Sequence, residues 1–127
     1  MTSLPSADQA RVSLDLSGDS LHRRGYRSSA GEAPLKESLA AAIVHLSGVR
    51  LGMAAASCLL DPMCGSGTIL IEAAMIACNI PANINRDRFG FQTWKDYDET
   101  LYEKIVEASL NKTREFHYRI EGYDKAP

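Results

Sequence analysis

Eight residues, Asp61-Pro62-Met63-Cys64-Gly65-Ser66-Gly67-Thr68, constrain this chain more than any other stretch, because apolar sequence stands on both sides of them. Cys58-Leu59-Leu60 reads as the end of a buried strand. Ile69 to Cys78, apolar except for Glu72, reads as a buried helix. Strand, tight glycine turn and helix form the geometry in which an α/β protein brings its backbone against a nucleotide-like ligand. Glycines at 65 and 67 permit positive φ and remove side chains that would hold a ligand off the main chain. Asp61, at the carboxyl end of the strand, offers a carboxylate to the crevice where such ligands bind.

Three ligand classes use a loop of this kind. A P-loop ends in Gly-Lys-Ser/Thr, and no lysine lies between Lys36 and Lys95. A dinucleotide fingerprint needs a third glycine where Leu70 stands, and an acid roughly 20 positions further on. The next acids are instead Glu72 and Asp87. The third class is S-adenosylmethionine, whose loop in the class I methyltransferases runs Asp-Pro-x-x-Gly-x-Gly-Thr. That ligand carries no phosphate, so it needs a flat backbone surface and a carboxylate rather than a helix dipole aimed at an anion.

Leu60 to Asn79 (LDPMCGSGTILIEAAMIACN), with the upstream blocks Gly18 to Arg27 (GDSLHRRGYR) and Gly31 to Ala42 (GEAPLKESLAAA), resembles the THUMP-associated RNA methylase family. Its best known members methylate guanine of 23S ribosomal RNA on the exocyclic N2; others carry the label of predicted N6-adenine-specific DNA methylase. The resemblance runs from about Val12 to the last residue. It implies an α/β, Rossmann-like class I fold, S-adenosylmethionine as cofactor, and ribosomal RNA as the partner of the full-length enzyme. It implies that Asp61, Pro62, Met63, Cys64, Gly65, Ser66, Gly67 and Thr68 form the cofactor loop. Pro34, Leu35 and Lys36 are implied contacts at the methionine end, against a competing reading as the plain start of an amphipathic helix.

An acid at the tip of the second strand of such folds accepts hydrogen bonds from ribose hydroxyls, and Asp124 is placed for this role, as in the family. The gap from Gly67 to Asp124 is 57 residues, so a stretch of about 79–115 reads as an insertion that the family also carries. The family's Asn/Asp-Pro-Pro-Tyr motif, which holds the target amine, has no match: the prolines at 5, 34, 62, 81 and 127 are all isolated. Catalytic residues are therefore unknown from this chain. Residues 1–10 read as a disordered lead-in, and 11–127 as the front part of a catalytic domain, truncated after its second core strand and lacking the THUMP domain. Such a piece is expected to be inactive alone, and an incomplete sheet edge invites self-association.

Composition sets the bounds. The chain has 127 residues, 45% hydrophobic and 24% charged, with a net charge of −2, so no global charge drives it to nucleic acid. Any RNA affinity must be local. Cysteines at 58, 64 and 78 show no metal-type spacing and read as reduced thiols of a cytoplasmic protein, with no metal expected. Two other function classes stay open: a nicotinamide-dependent oxidoreductase, and a non-catalytic RNA-binding or accessory module.

Periodicity supplies the remaining elements. Arg11 to Ser17 alternates Val12, Leu14 and Leu16 on one face and predicts a strand, with Leu21 to Arg27 returning as its hairpin partner. From Pro34, the apolar positions Leu35, Leu39, Ile43 and Leu46 predict a helix ending near Gly48. Asp98 predicts the cap of a helix to about Lys112, with Leu101, Ile105 and Ala108 on one side. Phe116, Tyr118 and Ile120 predict the second strand. Glu72 is expected to brace the glycine loop through its amides. His22, Arg23, Arg24 and Arg27 read as a solvated hairpin face rather than a phosphate grip. Phe89, Phe91 and Trp94 read as packing against the sheet rather than stacking a base, and Cys64 as a small loop residue rather than a nucleophile.

Overall fold

In the computed structural model, residues 12–27, 34–48 and 58–125 are described. The elements run α1 (Glu37–Leu46), β1 (Cys58–Asp61), α2 (Thr68–Ala77), a short 3₁₀ turn (Gly90–Thr93), α3 (Glu99–Leu110) and β2 (Arg119–Gly122). The two strands pair in parallel, with Cys58 opposite Arg119 and Asp61 opposite Gly122. A parallel pair requires a crossover, and α2 begins it. α1 lies on α2, and α2 in turn contacts both strands. The buried apolar residues are small or slender, among them Ala40, Val44, Ala73, Met75 and Ala77, which lets the two helix axes approach closely.

The excursion between α2 and β2 is closed at its base. Asn79 Nδ2 donates to Lys112 O at 3.0 Å, and Arg114 N donates to Cys78 O at 2.7 Å, so the chain leaves and returns at one point. α3 starts where the sequence predicts, because Asp98 accepts from Leu101 N at 2.9 Å and satisfies one of the first-turn amides.

Five expectations are corrected. β1 forms where the sequence predicts but is not a buried strand: Cys58 and Leu60 are exposed, because β2 alone pairs with it among the described residues. No strand occurs among residues 12–27, so the N-terminal hairpin does not form. Val12 and Leu14 are exposed, and the carbonyls a hairpin would use are taken by the 86–91 segment. Gly90 N donates to Ser17 O at 2.9 Å and Phe91 N to Leu16 O at 3.0 Å. Arg86 donates to Ser17 O, Asp19 O and Ser20 O, and also to Arg88 O, while its guanidinium lies 4.9 Å from the Phe89 ring centroid. One guanidinium with a fixed fork of donors thus gathers a turn that has no ladder of its own.

The buried stripe of α1 is Glu37, Ala40 and Val44, while Leu39, Ile43 and Leu46 face outward. The predicted apolar stripe is rotated because α2 admits small side chains and an ion pair on that side. On α3, likewise, Leu101, Ile105 and Ala108 are exposed, while Tyr102, Val106 and Ser109 turn inward. Tyr102 sets that rotation by joining a ring cluster with Phe89 (6.4 Å between centroids), Phe91 (5.9 Å) and Tyr97 (6.0 Å). Phe89 and Phe91 therefore pack inside the excursion rather than onto the sheet. Among the described residues, no helix is long and apolar enough to cross a membrane.

Candidate functional site

β1 ends at Asp61, and its own side chain shapes the turn that follows. Asp61 Oδ1 accepts from Met63 N at 3.0 Å, which is the turn-capping role open to any aspartate here. Asp61 Oδ2 is shielded from solvent and has no hydrogen-bond partner among the described residues. A shielded carboxylate oxygen without a donor is costly unless something else supplies one.

Gly65 (φ 53°) and Gly67 (φ 75°) both occupy the left-handed region, so an L side chain at either position would be strained. Gly67 is the N-cap of α2 with no side-chain cap, and open space lies where its Cβ would point. Gly67 N donates to Cys64 O at 2.8 Å, tightening the loop, and Ile71 N donates back to Gly67 O at 2.9 Å.

The end of β2 zips onto this loop. Tyr123 N donates to Asp61 O at 2.9 Å, and Cys64 N donates to Tyr123 O at 2.9 Å. Asp124 Oδ2 then accepts from Gly65 N at 2.7 Å. The two acids singled out from sequence, Asp61 and Asp124, thereby both accept from amides of the same loop, from neighbouring strands. Met63 is largely exposed, and Pro62, Gly65 and Ser66 are exposed beside it. Thr68 is buried: its Oγ1 accepts from Arg27 Nη2 at 3.0 Å and lies 3.3 Å from Ser66 Oγ. Pro34 and Lys36 are exposed and precede α1, and Leu35 reaches the loop indirectly, its carbonyl accepting from the same Arg27 Nη2 at 3.1 Å.

β2 approaches so closely that a side chain at residue 122 would force Leu70 and Cys64 to shift. A Cβ there would stand 2.4 Å from Leu70 Cδ1, 2.8 Å from Cys64 Sγ and 3.0 Å from Cys64 Cβ. We expect Gly122→Ala to cost about 1–3 kcal/mol by overpacking. Adding Cys64→Ala should recover part of that loss in thermal unfolding.

Beneath the loop lies a polar network the sequence reading did not assemble. Glu72 is fully buried and accepts from Arg24 Nη1 at 2.6 Å and from Tyr26 OH at 2.8 Å. Its partners are thus side chains from the 24–27 segment, not the loop amides expected of it. Arg27 Nε donates to Glu37 Oε1 at 3.3 Å, a second ion pair that is mostly buried. Arg24 and Arg27 are consequently neither a solvated face nor a phosphate grip. A lone carboxylate in an otherwise apolar helix was the available signal, since a buried charge requires a partner. Among the described residues, no group of three or more His, Cys, Asp or Glu side chains could hold a metal ion.

A parallel βαβ unit with a left-handed glycine pair between strand and helix, and an acid at or just past each strand end, is the geometry that nucleotide-binding α/β proteins use. The open space before Gly67 leaves bare backbone that fits a nucleoside ligand without phosphate. The chain belongs to the RMKL-like methyltransferase domain family (UPF0020), whose family model matches residues 24–127. It is 48% identical over 121 residues to the ribosomal RNA large subunit methyltransferase K/L of Methylococcus capsulatus, covering 93% of this chain and 16% of that protein. The protein of the same name from Saccharophagus degradans is 47% identical over 121 residues, covering 92% of this chain and again 16% of the relative. The chain thus spans about a sixth of the length of these curated relatives. Among solved structures it is similar to a possible methylase from Clostridium difficile 630 (TM-score 0.75, 42% identity, 87% of this chain and 28% of that one). It is also similar to SMU.472, described as "a putative methyltransferase complexed with SAH" (TM-score 0.76, 41% identity, 88% of this chain and 28% of that one).

Proposed function

We propose that this chain is the cofactor-binding front of a class I, Rossmann-like catalytic domain that methylates an exocyclic amine of a base in large-subunit ribosomal RNA, with guanine N2 as the target. In this reading residues 11–127 are part of one catalytic domain, and about 79–115 are an insertion between its first helix and second strand. S-adenosylmethionine supplies an electrophilic methyl group on a sulfonium. The chain's own residues bind and orient it. Asp61 offers an unsatisfied carboxylate oxygen, Gly65 and Gly67 present bare backbone, and Pro62, Met63, Cys64, Ser66 and Thr68 complete the loop. Asp124 accepts from the ribose hydroxyls, since a carboxylate can take several donors at once. Pro34, Leu35 and Lys36 lie toward the methionine end.

The observation that carries this reading is the hydrogen bond from Gly65 N to Asp124 Oδ2, which joins the glycine loop to the acid of the second strand. The relatives' names and the SAH complex of a similar structure support the same chemistry. The attack of the amine nitrogen on the sulfonium methyl is a matter of positioning and electrostatics. The Asn/Asp-Pro-Pro-Tyr motif with which the family holds that amine has no match in this sequence. The chain alone is therefore expected to bind cofactor weakly and to transfer no methyl to ribosomal RNA. Calorimetric titration of the chain with S-adenosylhomocysteine and, separately, with NADH tests the cofactor class. Binding of the first and not the second is expected; the reverse outcome assigns a nicotinamide enzyme instead.

A further inference from the structure

We infer that the open cavity inside the 79–115 excursion is a second binding site, one that takes an unpaired base of single-stranded RNA. The inference deepens the proposed function, because it rests on RNA being the partner, and it concerns a place apart from the glycine loop. The cavity is about 370 Å³, and its lining includes Asn83, Ile84, Phe89, Phe91, Tyr102 and Ile105. Small-molecule sites begin at about 300 Å³, whereas voids left by imperfect packing seldom exceed a water molecule.

The lining combines the two kinds of group that recognise a base. Phe89 and Phe91 are stacked at 5.3 Å between centroids, and Tyr102 packs on both. All three rings are only half-buried, so they pack on one another and still leave aromatic surface for a flat partner. The second kind is an uncommitted amide. Neither end of the Asn83 side chain has a hydrogen-bond partner among the described residues; Oδ1 is shielded from solvent and Nδ2 is not. An –NH₂ of this kind donates to the ring nitrogens and carbonyl oxygens of base edges. Ser109 Oγ, by contrast, is already committed as a donor to Ile105 O at 2.7 Å.

The chain as a whole is weakly acidic, yet exposed positive charge adjoins this lining at both sides. Arg88 precedes Phe89. Lys112 N donates to Ser109 O at 3.2 Å, and Arg114 N donates to Cys78 O at 2.7 Å, near the start of the Pro81–Ile84 wall. The acids of α3, Glu99, Glu103 and Glu107, recur every four residues and share a strip that the lining positions 102, 105, 106 and 109 do not include. The neighbouring cleft at Trp94 shares Phe91, Tyr102 and Ile105 but carries Asp96 and Asp98, which repel a phosphate backbone. The charge pattern therefore lays the strand along the Asn83 side, phosphates toward the cations and one base in the cavity.

The probes are a fluorescein-labelled single strand of RNA with adenosine between uridines, and the same strand with an abasic ribose in place of the adenosine. Affinity for the 127-residue chain is read by fluorescence anisotropy, and amide resonances are followed with unlabelled RNA. The intact strand is expected to bind about five- to hundredfold tighter than the abasic one, the factor for stacking one base. Shifts should centre on residues 81–84, 89–91 and 105–109 and spare residues 61–68. Ile105 is exposed, and Ile105→Glu should abolish the preference by placing a carboxylate at the cavity. Asn83→Ala should reduce it about two- to tenfold. Arg88→Ala and Lys112→Ala should weaken both strands alike and flatten the dependence on salt. Equal affinity for the two strands, no binding of either, or a preference that survives Ile105→Glu in a folded chain overturns the inference. So does a dimer in sedimentation that Ile105→Glu dissolves without any base preference, which gives the cavity to a second copy. Should the variants not fold, the wild-type ratio and the location of the shifts decide it. S-adenosylhomocysteine added to the same samples judges the cofactor reading separately: its binding without a base preference sinks this inference alone.

Discussion

Glu72→Ala is expected to remove about 3–5 kcal/mol of stability, the usual loss when one member of a buried ion pair is deleted and the other is left uncompensated. A domain of ordinary stability has only about 5–15 kcal/mol in total, so the variant should be largely unfolded at modest urea. The reason is the degree of burial. Glu72 is completely covered, its Arg24 partner is mostly covered, and Tyr26 OH depends on the same carboxylate. The pair is not itself a large net gain, because desolvating both charges offsets most of their attraction. The triple replacement Glu72→Leu, Arg24→Met, Tyr26→Phe should therefore recover most of what the single change loses. Urea unfolding followed by far-ultraviolet circular dichroism reads both. A loss below about 1 kcal/mol for Glu72→Ala, the size of an exposed pair, would contradict the burial argument.

The same network predicts a pH dependence. Burial, followed by the hydrogen bond to Glu72, holds the Tyr26 hydroxyl well above its ordinary pKa. In the unfolded chain a tyrosine loses its proton near pH 10. Above that pH the unfolded state is deprotonated while the folded one is not, which favours unfolding. The contribution is complete below about pH 10 and is lost as pH rises toward the folded value. The wild-type unfolding midpoint should fall on this alkaline side more steeply than that of Tyr26→Phe.

Gly25→Ala is the second large effect, with an expected loss of about 3 kcal/mol. Gly25 has φ 82°, and a Cβ there would stand 2.1 Å from Asn85 O and 2.8 Å from Asn85 C. The left-handed backbone alone costs a non-glycine residue about 1–2 kcal/mol, and the overlap with a main-chain carbonyl adds about 1–3 kcal/mol. Relief requires the 12–27 segment to lift from the 82–91 segment. Gly25 lies between Arg24 and Tyr26, so lifting also draws both side chains away from Glu72. Hydrogen exchange should speed up at the Gly90 and Phe91 amides, which donate to Ser17 O and Leu16 O. Combined with Glu72→Ala, the change should fall short of additivity, because both act on one network. Full additivity would separate the two features.

The elements with strong local signals were legible in the sequence. The two loop glycines, the apolar run of α2 and the Asp98 cap each carry their structural reason within a few residues, whereas Cys58-Leu59-Leu60 was legible as a strand but not in its exposure. The place of Asp61 at the end of β1 was also legible, because the apolar run stops there and the glycine turn follows. The failures share one cause. Val12, Leu14 and Leu16 alternate as a strand does, but a strand forms only with a partner, and Arg86, 66 residues beyond Ser20, takes the available carbonyls instead. The stripes of α1 and α3 were mis-rotated because which face is buried depends on what lies opposite: small side chains and an ion pair for one, a ring cluster for the other. Asp124's hydrogen bond to Gly65 spans 59 residues, and no local pattern contains it.

The account stands on the bend from Asp61 to Thr68, closed by Asp124, being the cofactor seat. Its most direct test is amide-resolved NMR of the uniformly labelled chain during addition of S-adenosylhomocysteine, which registers even weak binding. The account predicts saturable shifts concentrated at residues 61–68 and 123–124, with the α3 face unmoved. Shifts confined to α3 and the Phe89–Tyr102 cluster, or none at any concentration, would contradict it.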